Sequence, residues 1–155
     1  MNNEKICSFY VSSSHLLTII LPYINEEIKA GKDVITILQN DFEEIVEQYL
    51  NNVKNLNIDY EKIRNVGWKK TKKNMLKAYS YKTIFVIGDE EYITEINEKI
   101  SEKSEKNEII NCYKITKIKR IDEVLSIHDK ILNTRGKNEK FSHNAQKRKT
   151  IKSQT

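Results

Sequence analysis

Hydrophobic and polar positions along the chain switch repeatedly between two periods. The run Ile6-Cys7-Ser8-Phe9-Tyr10-Val11 is short, aromatic and β-branched, and it predicts a strand. Ser12-Ser13-Ser14 makes a polar turn, and a helical pattern follows from His15 to about Ala30. In that stretch Leu16, Leu17, Ile20, Leu21, Ile24 and Ile28 form an apolar stripe wide enough to cover one side of a sheet. A serine is expected to cap the helix and Gly31 to end it. Pro22 is expected to kink or break it, because proline has no N–H to donate. Val34 to Leu38 follows after a short connection, and its nearly continuous apolarity predicts a central parallel strand. Asn40 or Asp41 is placed to cap a second helix with Phe42, Ile45, Val46, Tyr49 and Leu50 on its buried side.

The pattern weakens after Asn51, with a broken strand candidate around Tyr60 to Trp68 and a short helix or ordered loop from Lys69 to Ala78. Thr83 to Ile87 is the strongest strand signal. Gly88 ends it, and Asp89 to Lys103 continues as a helix with Tyr92, Ile93, Ile96 and Ile100 on one face. Ile109 to Ile118 reads as a strand toward an edge, and Ile121 to Leu132 as a last helix with Val124, Leu125, Ile127, His128, Ile131 and Leu132 near its apolar side. Alternating strands and helices predict a three-layer Rossmann-like α/β domain with a mainly parallel sheet over residues 1–133. A ligand in such a fold sits beyond the carboxyl ends of the strands, here among Ser12 to His15, Gln39 to Asp41, Gly67 and Trp68, and Gly88 to Glu90.

Charge sharpens the boundary. The 155 residues carry 27 basic and 22 acidic side chains, a net +5. Residues 1–133 sum to −1, whereas residues 134–155 hold seven basic residues against one acidic and sum to +6. That segment shows no sustained periodicity and is expected to be a flexible basic tail. Cys7 and Cys112 are too few for a disulfide scaffold or a four-cysteine zinc site, which favours a reducing, cytoplasmic setting. The first residues lack the pattern of a secretory leader and no run approaches 18 apolar residues, so no membrane partner is expected.

Candidate chemistry is sparse. Ser12-Ser13-Ser14-His15 replaces the GxxxxGK[ST] and GxGxxG turns that wrap phosphates, although helix N-terminal amides and serine hydroxyls can hold a small anion. His15, His128 and His143 have no metal-ligand spacing, and neither cysteine has a visible activating partner. Asp89-Glu90-Glu91 is able to bind Mg²⁺ or orient a proton, but its plainer role is favourable charge in the first turn of a helix. No cofactor, metal or catalytic residue is expected. Arg64 to Lys82 has seven basic residues and no acidic one, and Lys69, Lys73 and Lys77 share a face if the segment is helical. Lys69, Lys70, Lys72, Lys73 and Lys77, with Lys147, Arg148 and Lys149 in the tail, are the candidate nucleic-acid contacts. Trp68 beside the patch is a candidate stacking residue or a core anchor.

Two segments carry a resemblance. Phe9-Tyr10, Ser12 to His15, Leu16-Leu17, Pro22-Tyr23-Ile24, Gly31-Lys32 and Val34 to Leu38 resemble the opening strand, helix and second strand of the MEDS family of small sensory domains. Cys112-Tyr113, Ile121, Val124-Leu125, His128 and Ile131-Leu132 resemble its closing strand and helix. The resemblance implies a RecA-like fold without the nucleotide-binding apparatus and a sensory or regulatory role. It also implies that Phe9, Tyr10, Ser14, His15, Cys112, Tyr113 and His128 are pocket-wall or fold-defining positions. Of these, Phe9, Tyr10, Ser14, His15 and Tyr113, with Ser12, Ser13, Asp41, Trp68 and Asp89 from the strand-end argument, give the candidate ligand site. The expected function is a non-enzymatic regulatory or sensory domain that acts through a protein partner, with a small ligand near the strand ends. Ile-rich surfaces would also support a homodimer. The alternatives are nucleic-acid binding through the basic patch and tail, and an enzyme with an atypical nucleotide or phosphoryl site.

Overall fold

The computed structural model describes residues 3–53 and 57–140. Its strands are β1 (Glu4–Tyr10), β2 (Asp33–Leu38), β3 (Lys82–Ile87), β4 (Glu108–Lys114), β5 (Lys130–Asn133) and β6 (Gly136–Glu139). Its helices are α1 (Ser13–Lys29), α2 (Glu43–Asn52), α3 (Tyr60–Asn65), α4 (Glu90–Lys103) and α5 (Ile121–Ser126). The strands form one six-stranded sheet in the order β2-β3-β4-β1-β5-β6, parallel throughout except for the β5–β6 pair. Helices cover both faces, and the protein is a three-layer α/β domain of the Rossmann-like or RecA-like kind.

Alternation along the strands divides the core in two. Ile6 and Tyr10 of β1, Leu38 of β2, Phe85 and Ile87 of β3, and Ile110 and Cys112 of β4 face α1, α2 and α3. Cys7, Ile37, Ile84, Val86, Ile109 and Tyr113 face α4 and α5. The apolar stripe of α1 is fully buried at Leu16, Leu17, Ile20, Leu21 and Ile24, each contributing about 1.5–3 kcal/mol. The helix runs through Pro22 without a break. Pro22 and Thr18, whose carbonyl loses its partner, both lie on the exposed side, where water can bond that carbonyl.

Several expectations are corrected. Residues 60–65 form α3 rather than a strand, because Asp59 caps it through Lys62 N–H at 3.1 Å and Ile63 fills the core under α1. With α2 it makes a helical pair inserted between β2 and β3 that returns to the carboxyl end of β2, where Thr71 N–H donates to Leu38 O at 2.9 Å. The chain then descends the α4 face, and Lys69 to Ala78 takes the loop alternative with a single 3₁₀ turn at Lys73–Met75, so the lysine face that a helix would have made does not form. Two strand positions are exchanged: β2, expected to be central, is an edge strand, and β4, expected toward an edge, lies inside the sheet between β3 and β1, because the chain crosses from β1 to the far edge before working back. β4 stops at Lys114, and Ile115–Lys117 is a second 3₁₀ turn. The expected last helix ends at Ser126, and Lys130 to Asn133 is strand β5, paired with β1 and β6. The domain boundary expected at residue 133 therefore falls inside the β5–β6 hairpin, and the sheet continues to Glu139. Phe141, His143, Lys147, Arg148 and Lys149 lie outside the described residues.

An ion network ties β6 to the amino ends of β1 and β4. Lys137 Nζ lies 2.7 Å from Glu108 Oε2 and 3.2 Å from Glu4 Oε1, and the Tyr23 hydroxyl donates to Glu108. Burial opposes ionisation of Glu108, but hydrogen bonds from Lys137 and Tyr23 hold its carboxyl below the usual range. Glu27, on α1, is pushed up by its burial and by the charge of Glu108. A second polar cluster lies under α4, where the side chains of Asn97 and Asn111 exchange hydrogen bonds at 2.8 and 3.0 Å. Asn111 Nδ2 reaches His128 Nε2 at 2.9 Å, and His128 Nδ1 reaches Val124 O at 2.6 Å. Asn111 donates and Val124 O accepts, so this ring is the neutral tautomer with its proton on Nδ1.

Candidate functional site: a cleft at the carboxyl ends of the strands

β1 hands the chain through α1 toward β2, and β4 hands it past β1 to β5 on the opposite face. The carboxyl ends of β1 and β4 are thus a topological switch point, the position where open α/β sheets leave a crevice. A cleft of about 360 Å³ opens there. Tyr10 and Ser13 line it from β1 and α1, Gln39 to Phe42 and Ile45 from the β2–α2 region, and Ile87 to Glu90 from β3 and the start of α4. Tyr113, Lys114, Lys117 and Ile118 close it from β4 and the turn that follows.

The floor is built around Gly88. A Cβ there would sit 2.6 Å from the Tyr92 ring and 2.8 Å from Gln39 Oε1, so a side chain is excluded by contact. That close approach allows Gln39 to clamp Asp89, accepting from its backbone N–H at 2.7 Å and donating to Oδ2 at 3.0 Å. Asp89 Oδ1 caps α4 by accepting from Tyr92 N–H at 2.8 Å. These bonds, the Tyr92 amide first, hold the Asp89 carboxyl below its usual range. Asp41 is likewise committed, its Oδ1 accepting from Lys70 N–H, so neither Asn40 nor Asp41 caps α2 as expected: its N-cap is Phe42, with no side-chain bond.

Several polar groups of the cleft make no hydrogen bond or close ion pair among the described residues. Tyr10 and Tyr113 are 8 % and 3 % exposed, yet neither hydroxyl makes a hydrogen bond among the described residues. Burial pushes the Tyr10 hydroxyl up to about 12 and raises that of Tyr113 as well. Glu90 Oε1 is buried with no donor. Lys114 and Lys117 form no ion pair within 4 Å among the described residues.

The cleft brings together Tyr10, Ser13, Asp41, Asp89 and Tyr113 of the candidate site. The remaining candidates lie elsewhere. Ser12 caps α1 through His15 N–H at 3.1 Å, Ser14 is exposed on the first turn, and His15 Nδ1 accepts from Val11 N–H at 3.0 Å. Phe9 packs on Tyr113, with ring centroids 6.0 Å apart. Trp68 is a core anchor whose indole N–H donates to Ile63 O at 2.8 Å, while its carbonyl accepts from Phe42 N–H and sets the start of α2. Of the basic patch, Lys73 pairs with Glu95 at 2.6 Å and Lys69 approaches Glu43 at 4.0 Å. Both thiols are buried, and burial raises Cys7 to about 12 and Cys112 further. Among the described residues no His, Cys, Asp and Glu cluster could hold a metal ion, and no helix is long and apolar enough to cross a membrane.

Lys114, Lys117 and Ile118 escaped the sequence reading because Ile109 to Ile118 scans as one strand. The fold and cleft define a three-layer α/β domain with a ligand-sized crevice at its switch point. Compared with known proteins, the chain matches no family model, no curated protein and no solved structure.

Proposed function

We propose that the protein is a non-catalytic regulatory α/β domain that takes a small polar ligand in the strand-end cleft and passes its state to a protein partner. The observation that carries this reading is a cleft at the switch point lined by Tyr10, Tyr113 and Glu90, where neither tyrosine hydroxyl nor the buried Glu90 Oε1 has a hydrogen-bond partner among the described residues. The fate of the reactive side chains supports a non-catalytic role. His128 is held neutral inside the sheet–helix interface, the thiols are buried, and both Asp89 oxygens accept structural hydrogen bonds. The likeness of residues 7–38 and 111–132 to MEDS domains supports it too, although the closing helix is shorter here than that pattern implies.

A partner surface adjoins the cleft. The β1–β4 pairing ends at Tyr10 and Lys114, and the residues that follow them, Val11 and Ile115, are 57 % and 42 % exposed. The test is affinity capture of the full chain and of the Val11→Glu/Ile115→Glu variant from native cells, each with and without nuclease treatment. A stoichiometric, nuclease-resistant protein captured by the natural chain and lost from the variant is expected. Recovery of nucleic acid alone, or capture untouched by the variant, would overturn this reading in favour of the basic segments.

A further inference from the structure

We propose that the cleft binds a small zwitterion, a molecule of amino-acid size with an N–H-bearing cationic group at one end and a carboxylate at the other. This rests on the reading of the cleft as a ligand site. Glu90 Oε1 decides the cationic end. An ionised carboxylate oxygen can only accept, and leaving it buried without a donor costs about 1–3 kcal/mol or more. A ligand ammonium supplies the charge-assisted bond that is missing. A metal ion fits less well, because Asp89 and Asp41 already accept from Gln39, Tyr92 and Lys70.

Lys114 and Lys117 decide the other end. They stand on the β4 wall with no ion pair within 4 Å among the described residues, and Lys117 still acts on Asp89 through its charge. A simple anion would leave Glu90 unserved beside two further carboxylates, and a simple cation would leave the lysines unserved. Tyr10 and Tyr113 sit on neighbouring strands with their rings buried and their hydroxyls at the cleft, and a hydroxyl can donate to a carboxylate or accept from an ammonium. Ile45 and Ile118 offer apolar wall to the ligand's carbon body. About 360 Å³ lies at the small end of the range for ligand pockets, which suits a ligand of this size.

The experiment is ¹⁵N NMR titration of the full chain with L-leucine and 5-aminovalerate as zwitterions, and with valerate and pentylamine as single-ended controls. Amide shifts at Ser13, Gln39, Gly88 and Lys114 are expected with at least one zwitterion. Each single-ended control, and Glu90→Gln with the same zwitterion, should bind about tenfold more weakly. Lys117→Gln should weaken the zwitterion without weakening pentylamine. The variants' own spectra report whether the fold is intact. Valerate binding as tightly as the zwitterions and indifferent to Glu90→Gln would overturn the proposal while leaving a ligand cleft in place. Silence from both zwitterions would also overturn it, and the partner-capture experiment would then judge the regulatory reading separately.

Discussion

Acid should unfold this protein through His128 before its surface carboxylates titrate. The imidazole is 2 % exposed, accepts from Asn111 and donates to Val124 O, so protonating Nε2 would set two donors against each other inside the core. Desolvation is the largest cause, and it lowers the ring to about 4. The unfolded chain binds this proton near pH 6.5 and the folded chain only near 4, so the histidine's contribution is fully present above about 6.5 and is lost as pH falls toward 4. The window corresponds to about 3 kcal/mol, at close to 1.4 kcal/mol per pH unit. Glu27, raised by burial, acts with the opposite sign, since the folded state favours its protonated form and loses that advantage as pH rises. The measurement is therefore a difference: urea unfolding at several pH values between 7.5 and 4.5, followed by Trp68 fluorescence, for the natural chain and for His128→Gln. The natural chain should lose stability more steeply by nearly the full amount, and imidazole NMR should show the Nδ1–H tautomer persisting below pH 5. Parallel stability curves for the two proteins would refute the reasoning.

Gly88→Ala should cost about 2–4 kcal/mol, combining overpacking against Tyr92 with loss of the Gln39–Asp89 clamp, and a urea midpoint within error of the natural chain would show that the floor is looser than described. Lys137→Met should destabilise by about 1–3 kcal/mol by leaving Glu108 and Glu4 without their shared cation, and stability should recover in part when pH is lowered and Glu108 takes a proton. Cys7 and Cys112 should resist an aromatic disulfide reagent in the native protein and react fully in urea; rapid native labelling would contradict their burial.

Most of the central sheet was legible because β1 to β4 and helices α1 and α4 have strong, single-period patterns. Strand order was not legible, since apolar content put β2 at the centre and β4 toward an edge and the sheet has them the other way round. The errors of element type fell where periods compete. Ile127, His128, Ile131 and Leu132 satisfy a helical stripe, but only Leu132 and Ile131 alternate across the sheet, and four-residue strands such as β5 and β6 leave too few positions to display period two. Tyr60 to Trp68 looked strand-like through its β-branched and aromatic content, and Asp59 as a cap was the overlooked signal. The cleft was legible in its loops, through Asp41, Gly88 and Asp89, because strand ends are visible in sequence. Its open hydrogen-bonding capacity was not, since nothing in a linear pattern says that a buried Tyr10, Tyr113 or Glu90 lacks a partner.

The central position of β1 has a consequence for synthesis. Its partners are β4 and β5, with Glu4 opposite Glu108 and Ile6 opposite Lys130, on the order of a hundred residues downstream. A nascent chain can bring β2, β3 and β4 together while β1 and the apolar stripe of α1 still wait for edges to join. β1 leaves the ribosome well before its partners and is thus among the last of these strands to be locked, and its Ile6, Cys7 and Phe9 are the residues a chaperone would meet during that delay.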